Sequence, residues 1–488
     1  MLILALLTGG LAFASPADHF GFGAKTVGRA GGGWALDGDS SAALGNPALL
    51  AGLESSELQL GYSVTRFSFS ELPPIYWDTN QDGLISEADT PLDMNGGYDR
   101  ADGTSIGVAR RLGERATFGL SVFGPQDRLL RLYTIEPELP TYFMYRNRAH
   151  RYAMAMALAV APTRDLELGA GVQVISRSVL KATLTIDAVV EGTPSQGGNV
   201  SDVASATVDV HEIYFDLIPK AIPVLGARWK VGERVPALEG LAVAGSWRGT
   251  GGIPVEFLLD AQVNARAQDV GELEPVSAAI LAEAGIQIYD HYIPNQFQAG
   301  IAYSLDNGLS LFGDLIHTRW SALQLNVTRV LDSEVQATLA DVSDLKLQDG
   351  NDVSGVMFRN TTSARAGLEL HREGVRLPQR FGPGQLTGRF GVGFEPSPLL
   401  SQTAETALLD SDRLIFGAGV SLSHGPLWAP MGDGDMGWNL SVQSHRLIDG
   451  ALTRRTPDGP TAGYAVDGAP LPIGGGFFTA DLSWSLDY

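Results

Sequence analysis

The chain contains no cysteine, so disulfide frameworks, thiol nucleophiles and cysteine metal sites are excluded together. Charge is scarce too. Asp, Glu, Lys and Arg make up 18% of the 488 residues against 44% apolar residues, which excludes a disordered chain. Beyond the N-terminus there is no run of about 18 apolar residues, the length a membrane helix needs. The densest apolar stretch, Tyr152 to Ala161, is too short. Positive charge is the scarcer sign, with 34 Lys and Arg against 55 Asp and Glu and a net charge of −21. Phosphate binding needs clustered Lys and Arg, so a nucleic-acid partner is excluded; an acidic surface instead suits a protein that meets divalent cations. If this chain crosses a bilayer it does so as a closed barrel, because only helices and barrels satisfy every backbone group internally.

What the chain does have is alternation. Every second residue from Leu166 to Ala188 is apolar or small, while Glu167, Gln173, Arg177, Lys181, Thr183, Thr185 and Asp187 lie between them. A tilted strand of about ten residues already spans a bilayer, and this segment continues beyond it. In the next example Met154, Met156, Leu158 and Val160 alternate with Ala153, Ala155, Ala157 and Ala159; the bulky face is read as lipid-facing and the small face as lumenal. The pattern recurs near Leu241, Ala364, Leu414 and Trp438, and in a last strand ending on the aromatic Tyr488. Segments of this type number about fourteen from Leu58 onward, an even count as single-chain bacterial barrels require. The expected fold is therefore all-β, a transmembrane antiparallel β-barrel over residues 54–488. Tight turns at Arg111-Leu112-Gly113-Glu114, Pro162-Thr163-Arg164-Asp165 and Asp306-Asn307-Gly308 belong to the periplasmic side. The long stretches Ser70 to Gly103, Pro125 to Ala149 and Asn326 to Asn360 belong outside.

Two segments precede the first strand. Met1 to Gly10 is almost wholly apolar and Ala12-Phe13-Ala14 is a small-x-small site, so residues 1–14 read as a signal peptide, although the basic n-region is missing. Residues 15–53 read as a compact hatch. They carry Gly28-Arg29-Ala30-Gly31-Gly32-Gly33, then Asp37-Gly38-Asp39-Ser40-Ser41, then Asn46-Pro47-Ala48; glycine permits tight backbone turns in a confined space and Asn-Pro initiates turns.

The order of these motifs resembles the FadL-type outer-membrane transporters of long-chain fatty acids and aromatic hydrocarbons. Further matches are Thr318-Arg319-Trp320-Ser321, then Arg389-Phe390-Gly391-Val392-Gly393-Phe394 before Pro396-Ser397-Pro398, then Asp410-Ser411-Asp412-Arg413. The long acidic loops depart from the family's usual pattern. The resemblance implies a monomeric, plugged barrel in contact with outer-membrane lipid and lipopolysaccharide. It also implies passive uptake of a hydrophobic small molecule through an external apolar groove, a lumenal pocket and a lateral exit at a kinked strand. The kink is placed at Gly124-Pro125, since Pro cannot donate to a ladder and Gly weakens it; the same pair can equally just end a strand at the rim. The inward charges Arg177, Arg365, Glu369, Arg389, Glu395 and Arg413 pair with one another and with Asp37 or Asp39 to seat the plug, or one Arg meets a ligand carboxylate.

Within the first long loop, Asp78 to Asp89 fits the twelve-residue calcium-loop template. Asp78, Asn80 and Asp82 supply side-chain oxygens, Gly83 the turn, Leu84 a backbone carbonyl, Ser86 a water-bridged contact and Asp89 the closing carboxylate. Asp at the twelfth position resembles the dockerin version. Calcium is thus the expected ion, in a structural role.

Enzyme readings are weak. Gly103-Thr104-Ser105-Ile106-Gly107 fits Gly-x-Ser-x-Gly but opens a strand instead of forming a strand-to-helix elbow, and His317, His371, His424 and His445 are scattered, which argues against zinc. Gly31 to Gly33 lacks the Lys-Ser/Thr of a phosphate loop. The alternative to transport is a calcium-dependent adhesin or a structural barrel with a closed lumen.

Overall fold

The computed structural model describes residues 23–77, 79, 86–87, 89–126, 134–146, 152–191, 202–268, 277–337, 353–378, 383–402, 406–425, 434–452, 464–465 and 470–488. The signal-peptide reading of residues 1–14 lies outside them.

Seventeen strands share one sheet. They are β1 (Glu57–Phe69), β2 (Ala101–Arg111), β3 (Ala116–Pro125), β4 (Ala153–Val160), β5 (Leu166–Glu191) and β6 (Asp202–Lys230). There follow β7 (Leu241–Arg248), β8 (Gly251–Gln268), β9 (Ser277–Ile293), β10 (Asn295–Ser304), β11 (Leu309–Arg319) and β12 (Thr328–Ala337). The last are β13 (Thr361–Arg376), β14 (Pro383–Glu395), β15 (Arg413–His424), β16 (Asp435–Leu447) and β17 (Gly475–Asp487). All but β8, β9 and β12 form a closed antiparallel ring of fourteen, because β1 pairs with β2 on one edge and with β17 on the other.

The period of two decides which way each side chain points. On β4, Leu158 is 49% exposed whereas Ala155 and Ala159 are fully buried, so the bulky face looks outward to lipid and the small face inward. Around the ring Leu60, Ile106, Leu225, Leu311, Leu440 and Leu482 are exposed in the same way. Exposed Trp229, Tyr303, Trp438 and Tyr488 lie near the end of the short turns, and Phe297 and Phe478 near the opposite end, which is the double aromatic girdle of a membrane barrel. The backbone of Tyr488 is tied to Ser56 at 2.8 Å, so the end of the chain closes against the start of β1 on the short-turn, periplasmic side.

Two strands are far longer than a bilayer requires. β5 and β6 stay paired from Leu166↔Trp229 up to Glu191↔Asp202, whereas β4 leaves β5 above Val174 and β7 leaves β6 above Val224. Beyond the ring the upper half of β5 pairs in parallel with β8, from Ser178↔Val255 to Glu191↔Gln268. β9 then pairs with β8 and β12 with β9. The result is a five-stranded sheet, β6-β5-β8-β9-β12, standing on the outer side. Its connection to the ring is short: Gly249 and Thr250 carry the chain from β7 across the inner face of β6 and β5. There Ile175, Ile222, Ile253 and Ile293 form a buried cluster.

Candidate functional site

The segment before β1 folds as a short helix, α1 (Ala24–Gly28), and two 3-10 turns, Ser40–Ala43 and Pro47–Gly52. Each start has a local cause. Asp39 caps the first turn by accepting from the Ser41 N–H at 3.0 Å, and Asn46 caps the second by accepting from the Ala48 N–H at 3.2 Å, with Pro47 following where a missing N–H does no harm. Asn46 also donates from Nδ2 to the Trp34 carbonyl at 3.2 Å, so one buried amide joins both halves of the segment. Burial works against ionising Asp39, but Lys25 and the two Ser41 hydrogen bonds outweigh it and hold its carboxyl below the ordinary value.

The barrel interior receives this segment at matched points. Ala30 is the one non-glycine among the described residues with positive φ, at 56°, and Gly31 and Gly33 follow at 81° and 87°. This left-handed turn aims the N–H groups of Gly33 and Trp34 at the Asp314 carboxylate on β11, at 2.7 and 3.1 Å. Arg29 donates to Glu369 on β13 at 2.6 and 2.9 Å, and Arg389 on β14 reaches the same oxygen at 2.9 Å. On the other side Arg228 of β6 bridges Asp37 at 2.8 Å and Glu167 at 3.0 Å. Where the backbones meet, the wall is stripped to glycine. A Cβ on Gly391 would lie 2.4 Å from the Arg29 backbone, and one on Gly169 would lie 2.3 Å from that of Pro47. Leu49 and Leu50 fill the space left by Ala155, Ala157 and Ala159.

A second blockade sits at the outer end. Leu72, Ile75, Tyr142, Met144, Trp320 and Leu408, all from the external connections or their edges, belong to one buried cluster. Phe69 stacks on Tyr142 with centroids 4.2 Å apart, and His445 stacks on Phe477 at 4.1 Å. Beneath this apolar cap Arg413 and Arg365 share Glu395, the latter at 2.8 Å, and Arg413 also donates to the Tyr145 hydroxyl. Tyr145 in turn donates to Asp410 at 3.2 Å, and Ser397 does so at 2.6 Å. Burial pushes the Tyr145 hydroxyl and the Asp410 carboxyl above their ordinary pKa and so keeps both protonated more readily, with Arg413 only partly opposing it. Between the plug and β6, β7 and β10 a cavity of about 530 Å³ opens at the periplasmic end, lined by Leu36, Asp37, Arg228, Lys230, Leu241 and Ala302.

No family model and no curated sequence matches this chain. Among solved structures it is similar to a Pseudomonas aeruginosa FadL homologue at 15% identity, over 98% of this chain and 99% of that one, with a TM-score of 0.52. The fold is FadL-like. The Ralstonia pickettii toluene transporter TbuX is similar at 14% identity over 96% and 98% of the two chains, TM-score 0.43. The P. putida toluene transporter TodX is similar at 13% over 96% and 99%, TM-score 0.45. A FadL-like ring with its apolar face turned to lipid is a bacterial outer-membrane protein.

In this FadL-like barrel the motif residues Gly28, Arg29, Ala30, Asn46, Pro47 and Ala48 all touch the lumen wall or cap the plug. Of the six inward charges, Glu369 meets the plug at Arg29, and Arg389 joins the same Glu369 oxygen from the wall. Arg365, Glu395 and Arg413 pair with one another further out, and Arg177 pairs with Glu256 on β8. Asp37 pairs with Arg228, a partner that strand parity could have supplied, since 228 lies inward with 224 and 226. Gly124 and Pro125 end β3 opposite Thr104 and Gly103, and that ladder has no register shift. Ser105 sits within β2 opposite Phe123. Pro396-Ser397-Pro398 and Asp410-Ser411-Asp412 bind each other, Asp412 accepting from the Ser397 N–H at 2.9 Å. Of the calcium loop, Asp78, Asn80, Asp82 and Leu84 lie outside the described residues. Ser86 and Asp89 lie within them, and the Asp89 carboxylate accepts from the N–H groups of Thr79 at 3.1 Å and Ser86 at 2.7 Å.

Proposed function

We propose that this protein is a passive channel for small hydrophobic molecules of the long-chain fatty acid or aromatic hydrocarbon class. The observation that carries this reading is the apolar aromatic cap around Phe69, Tyr142 and Leu408 at the outer end, set above a polar plug anchored through Arg29, Asp314 and Arg228. A hydrated pore is incompatible with both. An apolar solute entering the cap gains about 0.8 kcal/mol per buried CH₂, and a dry path spares it the polar lipopolysaccharide layer. The lateral exit belongs at the end of β3, where Pro125 has no N–H to hold a neighbour and a methyl group on Gly124 would meet no atom within 4 Å. Calcium belongs in the Asp78 to Asp89 loop, whose two ends Asp89 already draws together. Uptake of labelled oleate and toluene by cells with and without the protein tests the reading. Faster entry of either supports transport; equal rates for both would leave the closed-lumen adhesin instead.

A further inference from the structure

The sheet β6-β5-β8-β9-β12 is a single layer whose faces differ in chemistry. Residues paired across strands share a face, so the register sorts them. Ala182 pairs with Ile213 and Leu259, and Leu180 with Phe215 and Phe257. Leu184 pairs with Val210 and Ala261. That face is apolar across its width. The other face carries Lys181, Thr183, Asp260, Gln262 and Glu283, with Lys181 and Asp260 bridged at 2.8 Å.

The apolar face is the upward extension of the lipid-facing wall. No register shift separates Phe215 and Leu217 from Leu225 on β6, or Leu180 from Leu168 on β5, and Leu225 and Leu168 are exposed on the outside of the ring. The 18 residues from Leu225 to Val208, which a bulge at His211 keeps on one face, run about 56 Å along the strand, which carries the face beyond the roughly 30 Å hydrocarbon core even with strand tilt. It stays open there: Ile213 is 64% exposed, Val208 56% and Phe215 51%. The upper half of β6, moreover, pairs only with β5 among the described residues, leaving a bare edge strand.

We propose, in place of the monomer that the family resemblance implies, that a second copy of this chain covers this face, the two external sheets stacking face to face about a twofold axis along the membrane normal. The ring holds every copy at one height and in one orientation, so a face that continues the lipid-facing wall is presented sideways to its own counterpart on a neighbouring copy. An isologous contact of that kind closes on itself. The area suffices: five strands spaced about 4.8 Å apart and about 14 residues long offer roughly 1,100 Å², above the roughly 800 Å² per partner of a standard interface. Aligned sheets pack about 10 Å apart, which apolar side chains of this size fill.

The absence of native cysteine makes single reporters clean. Ile213→Cys, Phe215→Cys and Leu259→Cys on the apolar face are compared with Tyr214→Cys and Gln262→Cys on the other, in intact outer membranes treated with a short bismaleimide. The expected result is a covalent dimer from the first three and none from the last two. Adding Phe215→Asp to Ile213→Cys should abolish the dimer band while the barrel keeps its folded mobility on unheated gels. Equal yields from both faces, no dimer from any position, or a band that survives Phe215→Asp would each overturn the proposal. An apolar photolabel that tags Ile213→Cys membranes where no dimer forms would assign the face to lipid or to a hydrophobic solute. The outcome is independent of whether the lumen transports anything.

Discussion

Glu369 is the residue on which plug and wall meet, since one of its oxygens holds Arg29 from the plug and Arg389 from β14. Both arginines are nearly inaccessible, with side-chain exposures of 5% and 4%, so neither can exchange its partner for water. Replacing Arg389 by Glu sets two carboxylates against one arginine, and breaking a buried pair costs about 3–5 kcal/mol. The Arg389→Glu barrel should therefore lose its heat-resistant gel mobility at a clearly lower temperature; an unchanged transition would show that the pair does not seat the plug. Which charges point inward was legible from alternation. Which carboxylate each one takes was not: Arg365 and Arg389 look equivalent in sequence, yet Arg365 turns to Glu395 and Arg389 to Glu369, because ring curvature and plug depth set the partners.

At the scale of elements, the chain uses one pattern for two tasks. β5 and β6 alternate without a break through the bilayer and out of it as far as a bulge at His211 of β6, and β8 and β9 alternate in the same way beyond Pro254 without entering the ring. Periodicity reports that a segment is a strand with two unlike faces, and it carries no information on which neighbour the strand finds. The two-residue step at Gly249-Thr250 is as tight as a periplasmic turn yet lies on the outer side, and only the crossing over Ile175 and Ile222 reveals it. The calcium proposal belongs to one element, the first external loop. Titration of the purified barrel should show binding that Asp82→Ala removes, because the third side-chain oxygen position of the template is lost; equal, negligible binding by both forms would end that proposal.

For the whole molecule, stability rests on two solvents at once, lipid outside and a self-supplied filling inside. Leu440 faces lipid on β16 while its neighbour Ser441 lies against the plug, within reach of Gly28. Leu440→Arg, two residues from the Trp438 girdle, should destabilise the folded barrel by about 1–2 kcal/mol in urea unfolding from vesicles. A midpoint equal to that of the wild type would contradict the assignment of this face to the membrane.

The chain's own residues determined that it forms a closed barrel of about fourteen strands with bulk outside and small or charged groups within, because a period of two and the demand to satisfy backbone groups in lipid act locally. They also marked the plug, through Gly28-Arg29-Ala30 and Asn46-Pro47, where chain conformation itself is restricted. Only the tertiary structure decided that β8, β9 and β12 leave the ring, that Arg228 and Asp314 anchor the plug, and that an apolar sheet stands above the membrane. Those facts depend on which segments distant in sequence come to lie side by side, and strand pairing between distant segments is chosen by the folded whole.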